Sequence, residues 1–468
     1  MITALTAKEV RHNMGGNKAL NFLRKYMMLI ATVIVVIAFY FITDGRSLLP
    51  INIDSLISQN AYVFVLGTGM LLCILTGGNI DLSVGSVVCL AGSVGAIIMD
   101  TVVLGHKIPW PFAVAVMLLM GLLVGIWHGF WIAYIKVPPF IATLVGMLAF
   151  RGLANIILKG KDVSIENKAF MNLFGGSDSC YIPDFPTLSK AGNMVKSYTG
   201  VYTSNIDEIT GLYQQGKLTD AQFAQVKEVL GGLNVVCMAF AIALAVALIL
   251  YTFINRARLI KKGYKVENIA AVIIKTAIIA VVIIWFGYKL ASYKGIPTAF
   301  IWIAFILALF AYITTKTTLG RNLYAVGGNE KATRLSGIDT RKVMFSAYAL
   351  MGVLAGFASI LVIARGQKAG PTIGTGFEMD AIAACFIGGA SAYGGTGSIG
   401  GVIIGAALMG IINQGMSIAD TPVNYQKVVK GIVLIVAVLF DVLMQMRRKG
   451  GKKRASNVEA SEKGGAKA

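Results

Sequence analysis

The sequence predicts an all-α polytopic membrane protein of about 10–12 transmembrane helices, with broken or re-entrant segments and two pseudo-repeated halves. Three observations predict it. Hydrophobic residues make up 56% of the 468 and charged residues only 14%, against about 25% charged in soluble domains, and the mean hydropathy is +0.73. A soluble chain so poor in charge could not cover its own surface, which excludes an ordinary cytosolic enzyme. Apolar runs of about 20 residues, the length that crosses a bilayer, recur along the chain. Lys and Arg collect in alternate connecting loops, as the positive-inside bias requires.

The runs lie near 27–42, 56–76, 84–104, 111–135, 139–158, 233–254, 269–291, 297–314, 343–365, 379–393, 401–418 and 428–446. The run at 379–393 is short, and 61–76 leads into a Gly-rich break; such segments are where transporter helices become discontinuous. Residues 1–26 form a polar tail without the features of a cleavable signal peptide. The first half of the bundle is 27–158, an insertion occupies 159–232, and 233–446 holds the remaining helices, followed by a basic tail at 447–468.

Net charge is +20, and its placement explains it. Lys8, Arg11, Lys18, Arg24 and Lys25 precede the first run. Arg256, Arg258, Lys261, Lys262 and Lys265 fill the loop at 255–268, and Lys316, Arg321, Lys331, Arg334, Arg341 and Lys342 fill 315–342. Arg447, Arg448, Lys449, Lys452, Lys453 and Arg454 begin the tail. Twelve crossings put all four segments on one side, the cytoplasmic one, with both termini. Charge therefore reads as topology and not as nucleic-acid binding.

The insertion at 159–232 has seven Lys and eight Asp or Glu, and long loops translocate with little regard to charge. Its second half predicts a helical hairpin. Ile206, Ile209 and Tyr213 follow helical spacing up to Gly216, and Thr219 is placed to cap a second helix carrying Ala221, Phe223, Val226 and Leu230. Gly175 to Pro186 reads as loop. A surface insertion without a direct role is the plainer reading; contact with an external partner is the other.

Catalytic and metal constellations are missing. There is no HExxH, GxSxG or phosphate-loop motif. Cys73, Cys89, Cys180, Cys237 and Cys385 form no CxxC, and four of them lie in apolar runs. No metal site and no cofactor is expected in this chain. His128, in a run, reads as a packing residue. Lys275 and Arg151 sit near the ends of their runs and can snorkel. Asp81 is the clearest ionisable group near hydrocarbon, a functional candidate by default. Capping of the next helix at Asp81 or Ser83 is its structural alternative. Gly121-x3-Gly125-x3-Gly129, Gly352-x3-Gly356 and Gly401-x3-Gly405 are small-residue seams for close helix packing.

Two Gly-rich breaks resemble each other: Gly77, Gly78, Asn79, Asp81 and Ser83 in one, Gly388, Gly389, Ser391, Gly394 and Gly395 in the other. Each follows a long run and precedes a Gly-rich one, which suggests two related halves in opposite orientation. Substrate paths in such folds run past broken helices, so these residues are the candidates for a path. In the loop at 315–342, Asn329 is placed to cap a short helix from Glu330. Ala332, Leu335 and Ile338 give it an apolar edge, and Gly337 ends it.

Gly77-Gly-Asn-Ile-Asp-Leu-Ser-Val-Gly-Ser86, Lys136 to Gly146, Gly320 to Asn329 with Leu335-Ser-Gly-Ile338, and Ile387 to Gly401 together resemble the permease subunits of monosaccharide ABC importers. The resemblance covers about 80–440, most of the chain. It implies a homodimer, two cytoplasmic ATPase subunits that hold the ATP and Mg, an external sugar-binding protein, and residence in the bacterial inner membrane. It also implies that Asn329, Glu330, Ala332, Arg334, Leu335 and Gly337 belong to a coupling helix docking in the ATPase. The insertion and the runs at 233–254 and 269–291 are more similar to xylose and multiple-sugar permeases than to the smaller ribose type. Two rivals remain open: an ion-coupled secondary transporter, which would want paired intramembrane carboxylates or His relays, and a branched-chain amino-acid-type ABC permease.

Overall fold

A computed structural model describes residues 18–103, 106–175, 181–264, 266, 268–439 and 442. Most of the basic N-terminal tail, the C-terminal tail, Cys180 and Lys265 lie outside the described residues. The helices in chain order are α1 (Lys18–Ile42), α2 (Pro50–Gln59), α3 (Ala61–Leu75), α4 (Val84–Asp100), α5 (Trp110–Gly129), α6 (Pro139–Leu158) and α7 (Lys168–Phe174). There follow α8 (Phe185–Thr199), α9 (Ile206–Gln214), α10 (Asp220–Leu230), α11 (Val235–Lys261), α12 (Ile269–Ala291) and α13 (Thr298–Lys316). The rest are α14 (Thr318–Gly328), α15 (Glu330–Leu335), α16 (Thr340–Gly366), α17 (Phe377–Ile387), α18 (Ile399–Ile418) and α19 (423–439). Each of the twelve apolar runs is helical over most of its described length, except 379–393, where α17 ends at Ile387. Eleven residues at 1.5 Å each reach about 16 Å, half a bilayer core.

The chain divides into two units. The first gathers the described residues of 1–47, 59–170 and 302–468. Its centre is α3, apolar on every side and buried along nearly its whole length, the pattern of a helix surrounded by others. Helix α16 is the second core element, packed on α3, α4 and α5. Its approach to α5 uses the predicted seams: a Cβ at Gly121 would collide with the Gly352 carbonyl, and one at Gly125 with the Tyr348 carbonyl. The third seam, Gly401 and Gly405 on α18, lies against the carbonyls of Gly388 and Ala384. Two short antiparallel strand pairs complete the unit: β1 (Val102–Val103) with β2 (His106–Lys107), and β3 (Val163–Ser164) with β4 (Lys368–Ala369).

The second unit gathers 48–58 and 171–301. Helices α11 and α12 form an antiparallel pair with exposed apolar faces, including Leu250, Ile278 and Val281. Helices α8, α9 and α10 carry a separate small core of Ala191, Val195, Ile209, Leu218 and Val226. The predicted hairpin is present: Asn205 caps α9, and Thr219 and Gln222 form a reciprocal capping box on α10. Helix α8 was not predicted. Its sequence is polar, with only Ala191, Gly192 and Val195 buried, so the apolar stripe is too thin to stand out from a loop.

Candidate functional site

The two Gly-rich breaks meet. Leu75 ends α3, and its carbonyl accepts from the Gly395 amide at 3.1 Å. A Cβ at Gly78 would collide with the Ala392 carbonyl and one at Gly394 with Gly77 Cα, and both glycines have φ near +80° (78° and 82°). Only glycine meets both demands there. Ser391 shapes its own turn, with its Oγ accepting from the Tyr393 amide at 3.1 Å and its amide donating to the Thr396 carbonyl at 3.0 Å. Asn79 Nδ2 donates to Thr76 Oγ1 at 3.0 Å. Gly77 and Gly78 are thus brought against Ala392 and Gly394, backbone against backbone, whereas Gly388 packs on Gly401.

Asp81 is buried and takes the local role. Its Oδ1 accepts from the Ser83 amide at 2.8 Å and from Ser83 Oγ at 2.6 Å, at the entrance to α4. His128 is 1% exposed; its Nδ1 lies 3.4 Å from Ser83 Oγ, and its ring meets Phe150 edge to face. Gly146 makes the room for that imidazole, since a Cβ there would strike Nε2. Arg151 does not snorkel. Its guanidinium donates to the carbonyls of Pro371 and Ile373 at 3.1 and 2.6 Å, fixing the turn ahead of α17.

The short helix in the 315–342 loop has the expected form. Asn329 Oδ1 accepts from the Ala332 amide at 3.0 Å, α15 covers Glu330–Leu335, and Gly337 follows at φ 82°. Glu330 also reaches the bundle: Oε1 lies 3.6 Å from Lys136 Nζ, in a half-exposed ion pair, and accepts from Thr340 Oγ1 at 3.2 Å. The buried side chain is Thr333, which donates to the Ala325 and Asn329 carbonyls, both at 2.8 Å. Ala332 and Arg334 are exposed, and Leu335 is 90% exposed. Ala332 and Leu335 of the predicted edge therefore point away from the described chain, and Ile338 is half-buried. On its inner side, α14 reaches the second break, where Tyr324 Oη donates to the Gly397 carbonyl at 2.9 Å.

The family described as "Branched-chain amino acid transport system / permease component" matches residues 52–259 and 222–438. The chain belongs to that family. This permease is 33% identical over 432 residues to the xylose transport system permease protein XylH of Escherichia coli K12, covering 92% of this chain and 95% of that one. It is 35% identical to XylH of Haemophilus influenzae over 419 residues, 90% and 96% of the two chains. The ribose import permease protein RbsC of Escherichia coli K12 is 31% identical over 391 residues, 83% and 85% of the two chains. No solved structure matches the permease.

A second polar site was missed by the sequence reading. Asp380, in the first turn of α17, has no exposed surface. Its Oδ2 accepts from Tyr62 Oη of α3 at 2.6 Å, from Lys430 Nζ of α19 at 2.9 Å and from Asn413 Nδ2 of α18 at 3.3 Å. Asn413 Nδ2 also lies 3.2 Å from Asn60 Oδ1. Phe377 stacks on the Tyr62 ring, centroids 3.6 Å apart. The signal was a carboxylate in one apolar run and an ammonium in another, the pairing that an intramembrane charge demands. The sequence analysis weighed neither residue, because nothing local in the sequence joins the two runs.

Proposed function

We propose that this permease is the membrane-spanning subunit of an ATP-driven importer of a monosaccharide, with a xylose-like pentose as the leading substrate class. An external binding protein would deliver the sugar, two copies of the permease would enclose the path, and separate ATPase subunits on the cytoplasmic side would hold ATP and Mg. The chain itself would be no enzyme. Both termini and the 315–342 loop would face the cytoplasm, across the inner membrane from the insertion. The observation that carries the reading is the capped helix α15 with Leu335 turned outward. A rigid helix that exposes a large apolar side chain is suited to a soluble partner's cleft. Relatives named for xylose and ribose along most of both chains supply the substrate class. Tight sugar binding is not required of the path, because capture affinity can reside in the delivering protein.

The test is ATP hydrolysis by the permease and its candidate ATPase in lipid nanodiscs, with and without sugar-loaded binding protein. Glu330→Arg places a cation against Lys136, and Gly337→Trp forces a bulky residue into positive φ. Sugar-dependent stimulation in the wild type, lost in both variants, is the expected result. Absence of a complex, together with uptake driven by a proton or sodium gradient without ATP, overturns the reading in favour of a secondary transporter.

A further inference from the structure

Asp380 is held by three other helices, yet only through one oxygen. Tyr62, Lys430 and Asn413 all donate to Oδ2, whereas Oδ1 is buried and, among the described residues, has no partner, as is also true of Asn413 Oδ1. A buried ion pair offsets its desolvation only when the remaining lone pairs are met as well. Here the compensation is incomplete. An arrangement that met Oδ1 as well would recover part of that cost. Lys430 retains 18% of its side-chain surface, so the ammonium is less enclosed than the carboxylate it holds.

The pair is also mechanically connected. Helix α17 carries Asp380 near its start and runs straight into the second Gly-rich break. That break is gripped at Gly395 by the Leu75 carbonyl and at Gly397 by Tyr324 of α14. Helix α14 continues through Asn329 into α15. The path from the exposed helix to the ion pair is therefore a continuous series of contacts through α14, the second break and α17. Tyr62 and Leu75 mark the two ends of α3, about 20 Å apart, so the ion pair and the break lie at opposite ends of the core.

We propose that the Asp380–Lys430 pair is the latch of a gate at the end of the bundle remote from α15, released when movement of α15 is carried through α14, the second break and α17. The inference rests on the importer reading and adds the positioning residues that couple its two faces. In the latched state α17 is tied to α3, α18 and α19. Displacement of α17 separates Asp380 from Lys430 and frees the start of α17.

The test uses the full complex in proteoliposomes, reading ATP hydrolysis without binding protein and sugar moved per ATP. Asp380→Asn and Lys430→Gln are each expected to raise unstimulated hydrolysis at least about fivefold and to lower sugar per ATP by a similar factor. The exchanged double variant, Asp380→Lys with Lys430→Asp, is expected to restore part of both. A purely structural tie would instead lower yield and melting temperature at an unchanged coupling ratio, and that result overturns the latch. If Asp380→Asn does not fold, Lys430→Gln decides alone, because its side chain already reaches the surface. A wild-type complex without stimulation sinks the importer reading; a wild type that couples, with Lys430→Gln indistinguishable from it, sinks only the latch.

Discussion

Asp339 shows how much a single side chain does at a helix entrance. It caps α16, its Oδ1 accepting from the amides of Arg341 and Lys342 at 3.1 and 3.2 Å. The Lys342 amide above all holds its carboxyl below the usual range; desolvation opposes it, and the Arg341 amide adds to the lowering. A depressed carboxyl stabilises the fold above its unfolded value and loses that contribution as pH falls through the folded value. The contribution is therefore intact above about pH 5 and fades below about 3.9. Asp339→Asn keeps a capping side chain but removes the charge. Its melting temperature in detergent is expected below that of the wild type at pH 7, with the gap narrowing as pH falls below about 3.9. A gap independent of pH would show that the charge is irrelevant. The ion pair of Asp339 with Lys342, at 3.7 Å and exposed on both sides, adds little.

At the scale of elements, close packing was legible and the site was only partly so. The Gly spacing of α5 and α16 announced two seams, and the structure sets them face to face. The cap at Asn329 and the stop at Gly337 were legible because capping is a local bargain between neighbours in sequence. Asp380 was not, because its partners come from residues 318 and 50 positions away and no local pattern encodes them. Arg151 failed as a snorkelling residue for the same reason: its acceptors are carbonyls of a turn 220 and 222 residues away. The seam carries a prediction with an internal control. A methyl at Gly125 meets the Tyr348 carbonyl and Ala349, whereas one at Gly152 on α6 meets nothing within 4 Å. Gly125→Ala is expected to cost about 1–3 kcal/mol through overpacking against backbone. Gly152→Ala is expected to gain up to about 1 kcal/mol from helix propensity. Equal shifts of the two melting curves would refute the seam as a contact that backbone cannot relax.

The spans were readable across the whole molecule, because they are set by the bilayer rather than by long-range contacts. Helix boundaries in the polar insertion were harder, since no solvent contrast imposes a period on α8. The positive-inside bias gives an expectation of sidedness that can be tested. Between the turn after α9 and helix α15 lie α11, α12 and α13, each long and apolar enough to cross. Three crossings would put the two points on opposite faces. The basic residues of 255–268 and 315–342 would then place α15 on the inner one. Gln215 and Leu335 are both exposed, so each accepts a cysteine without disturbing packing, in a background with Cys180→Ser. A membrane-impermeant maleimide is expected to label Gln215→Cys in intact cells and Leu335→Cys only in inverted vesicles. Labelling of both from one side would mean that one of the three helices does not cross. The reverse pattern would mean that the charge bias misassigns the faces, and α15 could then meet no cytoplasmic ATPase.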